Sequence, residues 1–252
     1  MTLMPSALEP GENDETGIPP FTIAFQPIVD IGAGRIYSYE ALVRGERGES
    51  AQALFLAMDP RVLTSADAAF RHKAICLAGD QGLLTMLNLN VIPSTLEQSA
   101  ENLMATIDQA GLCGIKADQL MLEITEREII VDLDAFAETI DDLRHAGLKF
   151  AIDDFGAGFA GLNLLADFQP DVVKLDFQLV GGIASRGPRQ AIVRGITRTC
   201  TDLGIEVIAG GVDSEDDYFW FVDEGITLFQ GYILAGPSLE KLSPRFAQPQ
   251  RS

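Results

Sequence analysis

The chain has 252 residues, 47% apolar and 22% charged, which is enough for one large domain with a sizeable core and excludes disorder as the main state. Its 18 Lys and Arg stand against 37 Asp and Glu, a formal charge of −19, which excludes non-specific partnership with a nucleic acid polymer or an anionic membrane. An anionic ligand must therefore find local cations or a metal ion.

Residues 1–18 mix Pro, Gly and acidic residues without apolar periodicity, and read as a disordered leader or the remnant of a linker. They lack the basic stretch and apolar core of a secretory leader, and no run long enough to span a membrane occurs anywhere in the chain. Composition then stays uniform, so residues 19–247 are expected to form one domain, with 248–252 as a tail. The pattern predicts strands over residues 22–29, 35–43, 85–91, 120–125, 149–152, 172–175 and 206–209, with a shorter one near Leu228. Helices are predicted between most of them. One over 134–146 places Phe136, Ile140 and Leu143 on one face and stops at Gly147; another over 188–203 does the same with Ile192, Val193, Ile196, Cys200 and Leu203 and stops at Gly204. Cys76, Cys113 and Cys200 are far apart and form no CxxC pair, which supports neither a disulfide framework nor a zinc knuckle and fits a cytoplasmic location.

Alternating strands and helices suit either a doubly wound open sheet or a closed (β/α) barrel. Polar residues decide between them, because they fall at the carboxyl ends of many successive strands: Glu40, Asn90, Glu123, Asp153 with Asp154, and Lys174. An open sheet gathers its site at one switch point, whereas a barrel brings every strand end to one mouth, so the barrel is expected. Three or more acids meeting there would raise one another's pKa values unless a cation shared the site. Oxygen donors without His or Cys select Mg²⁺ or Mn²⁺, with Ca²⁺ as an inhibitory competitor. Adjacent aspartates let one carboxylate bridge two ions roughly 4 Å apart, as in displacement at phosphorus. Lys174 would hold an attacking water or neutralise charge on phosphate. These residues alone also leave open a Mg²⁺-dependent barrel that acts on a small carboxylic acid, with Lys174 as base.

The run Tyr39-Glu40-Ala41-Leu42-Val43-Arg44-Gly45 resembles the signature of the EAL domain, the bacterial family of cyclic di-GMP phosphodiesterases. The similarity continues through Phe25-Gln26-Pro27-Ile28, Asn90-Val91-Ile92-Pro93, Leu122-Glu123-Ile124-Thr125-Glu126, Asp153-Asp154-Phe155-Gly156-Ala157-Gly158, Lys174-Leu175-Asp176 and Phe229-Gln230-Gly231-Tyr232. What this resemblance implies is a modified (β/α)8 TIM-like barrel with an antiparallel first strand, which opens cyclic di-GMP to linear pGpG using one or two Mg²⁺ or Mn²⁺ ions. By motif, Glu40, Asn90, Glu123 and Asp153 look like metal ligands, Asp154 like a ligand of a second ion, and Lys174 like the residue that positions the nucleophilic water. Gln26, Arg44 and Gln230 look like substrate contacts, and Glu126 like a stabiliser of the loop after Asp154. The family precedent also implies a homodimer and leaves room for a regulatory protein partner.

One motif departs from the family. Where hydrolytic members usually carry Glu-Gly-Val-Glu, this chain has Gly210-Gly211-Val212-Asp213. Loss of a catalytic carboxylate commonly costs about 10²–10⁴ in rate, so weakened turnover with retained binding is expected. Glu206 cannot substitute, since four strand residues place it roughly 13 Å lower in the barrel. Two functions therefore remain: a slow phosphodiesterase, or an inactive receptor or interaction module.

Overall fold

The structure, a computed structural model, describes residues 17–91, 100–125, 140–157 and 161–251. Nine strands form one sheet: β1 (Phe21–Asp30), β2 (Arg35–Gly45), β3 (Met86–Asn90), β4 (Leu120–Thr125), β5 (Lys149–Phe155), β6 (Val172–Leu175), β7 (Glu206–Ala209), β8 (Leu228–Phe229) and β9 (Ser238–Leu239). β2 to β8 pair in parallel, in sequence order. β1 runs against both of its barrel neighbours, pairing with β2 on one side and β8 on the other, and so closes the barrel. β9 adds to the outer reach of β1. The expected barrel with an antiparallel first strand is the fold found, and the open sheet is not.

Parallel strands covered on both faces need near-continuous apolar sequence, and β1, β4 and β6 are buried along almost their whole length. Between the strands lie α1 (Ala51–Ala57), α2 (Leu63–Asp80), α3 (Ala100–Leu112) and the helices Gly161–Phe168, Gly187–Leu203 and Glu215–Asp223. Residues 140–145 are helical, while the start of the predicted helix at 134–139 lies outside the described residues. The helix Gly187–Leu203 ends as expected, with Gly204 in the left-handed region at φ 73°, but its buried face is narrower than expected: Val193, Ile196 and Cys200 are buried, whereas Ile192 and Leu203 are exposed.

The core has two main parts. The larger packs outward-facing strand residues such as Phe150, Val173 and Phe229 against helix residues such as Ile75, Leu165 and Phe221. The smaller, Ile28, Met121, Ala151, Val172, Ile208 and Leu228, draws one residue from each of six strands and fills the barrel lumen. Of the aromatic run 218–221, Tyr218 and Phe221 are buried against Phe229, while Phe219 and Trp220 are half-buried beneath Arg251 and Arg194. No described helix is long and apolar enough to cross a membrane.

Candidate active site

Alternate residues of a barrel strand face the lumen. Two residues beyond the apolar lumen layer, Met121 gives way to Glu123, Ala151 to Asp153, Val172 to Lys174, Ile208 to Gly210 and Leu228 to Gln230. β1 runs the other way, so its Gln26 precedes Ile28 and stands opposite Glu40 of β2. A polar ring results at the carboxyl ends of the parallel strands, and Gly210 is its position without a side chain.

The Lys174 ammonium stands among three carboxylates, 2.9 Å from Glu40 Oε2, 2.8 Å from Glu123 Oε2 and 3.2 Å from Asp153 Oδ1. Gln230 Nε2 donates to the same Glu40 oxygen at 2.6 Å and approaches Gln26 Oε1 at 3.4 Å. Asn90 Nδ2 donates to Glu40 Oε1 at 3.0 Å, and Asn88 Nδ2 to Glu123 Oε1 at 2.7 Å. Asn88 was not singled out by sequence, although it precedes Asn90 by two residues on the same strand face. Its amide oxygen is buried and meets no donor among the described residues.

Burial disfavours every charge in the cluster, and the neighbours decide the balance. For Glu40, burial is outweighed by Lys174 and by the donors Gln230 and Asn90, which hold the carboxyl down at about 2. Burial, joined by the Glu40 charge, pushes Glu123 well above the usual carboxylate range despite Lys174. Asp153 is likewise raised by burial against the opposing pull of Lys174. Burial alone would neutralise Lys174, but Asp153, Glu123 and Glu40 together keep its ammonium charged well above the ordinary lysine range. One ammonium among three carboxylates leaves a formal excess of two negative charges, which a divalent cation matches. Carboxylate oxygens of Glu40, Glu123 and Asp153 lie within 4.8 Å of one another, and an all-oxygen set fits Mg²⁺, Mn²⁺ or Ca²⁺ better than Zn²⁺.

Successive strand residues normally point to opposite faces, yet both Asp153 and Asp154 line the mouth. The local backbone explains this. β5 runs on past residue 152, where the sequence pattern ends it, its register with β6 shifts between Ile152 and Phe155, and Asp154 adopts a left-handed φ of 54°. Such a bulge re-aims a side chain. Asp154 is exposed and stands outside the trio, in which Glu40 and Glu123 are buried and Asp153 is half-buried.

Two cavities meet at Glu40 and Asp153, which line both. One, of about 400 Å³, is walled by Arg44, Asn90, Phe55, Phe70 and the buried ion pair of Asp67 with Arg71. Arg44 donates to the Val43 carbonyl at 2.7 Å. The other, of about 440 Å³, is walled by Gln26, Asp154, Lys174, Gln230, Phe177, Tyr232 and Gly210. The exposed rings of Phe177 and Tyr232 stand at its rim. Sequence reasoning missed Asp67, Arg71, Phe177 and Tyr232; the spacing of Asp67 and Arg71, one helical turn apart, was the available signal.

The side of the mouth at 210–213 lines the second cavity with backbone and Asp213. A Cβ on Gly210, the residue after β7, would lie 2.9 Å from the Leu175 carbonyl oxygen, so a side chain there requires a small backbone shift. Asp213 accepts from the Tyr232 backbone N–H at 2.9 Å. Glu206 accepts from the Tyr37 hydroxyl at 2.6 Å, at the opposite end of β7. Glu126 and Gly158, also named from sequence, lie outside the described residues.

A family model described as "EAL domain" matches residues 19–237. The blue light- and temperature-regulated antirepressor BluF of Escherichia coli K12 is 37% identical over 97% of this chain, which spans 59% of that protein. Klebsiella pneumoniae BlrP1, solved as a manganese and cyclic di-GMP complex, superposes with a TM-score of 0.85 at 39% identity, over 88% of this chain and 57% of BlrP1. A standalone EAL protein of Vibrio cholerae O395, solved with cyclic di-GMP bound, superposes with a TM-score of 0.85 at 36% identity, over 90% of this chain and 95% of its own. This chain thus spans a little over half the length of BluF and BlrP1.

Proposed function

The chain belongs to the EAL domain family, and on that premise we propose that it binds cyclic di-GMP across divalent metal and hydrolyses it slowly to linear pGpG. The observation that carries this reading is the Lys174 ammonium held among Glu40, Glu123 and Asp153 on the wall shared by two cavities. A ligand with two bases joined through phosphates suits that layout, one base on each side and a phosphodiester between them. Complexes of BlrP1 with manganese or calcium and cyclic di-GMP supply the precedent for the ligand and the ion.

Glu40, Glu123 and Asp153, with Asn90 beside Glu40, would hold Mg²⁺ or Mn²⁺, and Asp154 would serve a second ion. When bound there, a divalent ion would supply Lewis acidity at the phosphate and lower the pKa of a water. Lys174, held among the acids by its ion pairs, would donate a proton toward the attacking water. Arg44 offers its planar guanidinium to a phosphate oxygen. Gln26 and Gln230 fix the ligand against Glu40, and the Phe177 and Tyr232 rings offer stacking surfaces at the rim.

Gly210 is why turnover is slow, since the family's glutamate is missing there and Asp213 is already committed to Tyr232. The missing carboxylate also favours a second reading, a receptor that binds without hydrolysis, to which the regulatory name of BluF lends weight. Calorimetric titration of cyclic di-GMP with Ca²⁺ present, followed by a product assay with Mg²⁺ or Mn²⁺, separates the two. Binding with slow pGpG release is expected. Binding without product selects the receptor, and binding under neither condition overturns both. Gly210→Glu is expected to raise hydrolysis at least about tenfold.

A further inference from the structure

Away from the mouth, the fold brings together two nucleophilic side chains that the proposed chemistry does not use. Cys76 near the end of α2 and Cys113 just beyond α3 are 37 positions apart in sequence, yet their sulfurs lie 3.3 Å from each other. The spacing of the cysteines gave no hint of this. Both side chains are half-buried, so a small reagent can reach them. Gln109 directs one amide at both sulfurs, 3.5 Å from Cys76 and 3.3 Å from Cys113, while burial and the adjoining Cys113 sulfur push the Cys76 thiol up, so exchange calls for mildly alkaline pH. The close approach is built into the packing, because a Cβ on Gly79, one turn beyond Cys76, would collide with the Cys113 carbonyl. A disulfide of about 2.0 Å requires the sulfurs to close by roughly 1.3 Å, a matter of side-chain rotation and a small helix shift.

We propose that Cys76 and Cys113 form a reversible intramolecular disulfide, by exchange with a small-molecule disulfide of the glutathione type, that fastens α2 to the end of α3. One thiolate attacks the external disulfide, forming a mixed disulfide and releasing one thiolate. The second protein thiolate then attacks the protein sulfur of that bond and releases the other. Two protein thiols are oxidised and one external disulfide is reduced to two thiols, with no other reactant. The link has a structural consequence at the mouth. α2 carries Asp67, Phe70 and Arg71 of the first cavity wall, and Arg71 Nε already reaches Thr106 of α3 at 3.4 Å. Oxidation would hold that wall at a second point.

Cys200 provides an internal reference, being fully buried with its thiol pushed up to about 11 by that burial. The test treats the whole protein with oxidised glutathione near pH 8, counts thiols in denaturant and maps linked peptides by mass spectrometry. Titratable thiols should fall from three to one, with the Cys76 peptide joined to the Cys113 peptide, and dithiothreitol should restore all three. In the Cys76→Ser variant, glutathione should remain trapped on Cys113. Three surviving thiols, a bridge that includes Cys200, or glutathione retained separately on Cys76 and Cys113 would each overturn the proposal.

Discussion

The two sides of the barrel mouth have been treated in opposite ways. From β2 to β6, every lumen position at the rim carries a polar group, and the charges compensate one another through Lys174. Just beyond β7 the equivalent position is Gly210, where a Cβ would press on the Leu175 carbonyl oxygen. The first side is costly to maintain without a ligand, since buried acids survive there only by sharing one ammonium. The second side is inexpensive and inert. The charged half keeps a carboxylate trio able to hold a cation, and in the proposed reaction the other half lacks the carboxylate that would speed bond cleavage.

The largest expected effect tests the charged side. Lys174→Met leaves three carboxylates without a counter-charge, and should destabilise the metal-free protein by about 3–5 kcal/mol. Mn²⁺ should recover most of that loss, as read from thermal unfolding with and without the ion. An equal loss in both conditions would place the ion elsewhere and break the contrast.

A smaller effect comes from pH. Glu123 has a raised pKa in the folded protein, so its contribution to stability is fully present below the ordinary glutamate value and is lost as pH rises through the raised one. A divalent ion must displace the Glu123 proton, so Mn²⁺ affinity should rise with pH across that window, by up to about tenfold per unit for one proton released. Titrations in buffers of different ionisation enthalpy measure the proton count directly. A flat pH profile would mean that Glu123 is already ionised when the cation arrives.

The smallest effect sharpens the emptied side. Gly210→Ala adds only the Cβ that meets the Leu175 carbonyl, and should cost about 1–2 kcal/mol in denaturant unfolding while leaving hydrolysis unchanged. Gly210→Glu carries the same crowding together with a carboxylate, so the pair of variants separates the cost of the backbone shift from the benefit of the acid. An alanine variant as stable as the parent would show that β6 and β7 part readily.

How much of this was legible beforehand depended on the range of the interaction. Glu40, Glu123, Asp153 and Lys174 were found because strand periodicity and position fix which face and which end a residue occupies. The break at Gly210 was visible as a departure from a familiar run. Its structural meaning was not, because the Leu175 carbonyl belongs to a neighbouring strand. Asp67 and Arg71 reach the cavity from a helix whose rotation relative to the barrel is set by tertiary packing. Cys76 and Cys113 meet for the same reason, through the docking of two helices that no local pattern encodes. The pairing of both aspartates at one mouth also escaped the strand rule, because it depends on a positive φ at Asp154.

The reversed first strand decides where the polypeptide enters the barrel. Were β1 parallel to its neighbours, the preceding residues would arrive at the far rim, beside Tyr37 and Glu206. Because Phe21 instead lies against Gly45, residues 17–20 arrive on the acidic rim, and Ile18 packs with Leu54, Met58 and Phe70. Phe70 is also part of the first cavity wall. The doorway through which upstream polypeptide joins the barrel and the chamber proposed for a nucleobase thus share a panel, one phenyl ring thick.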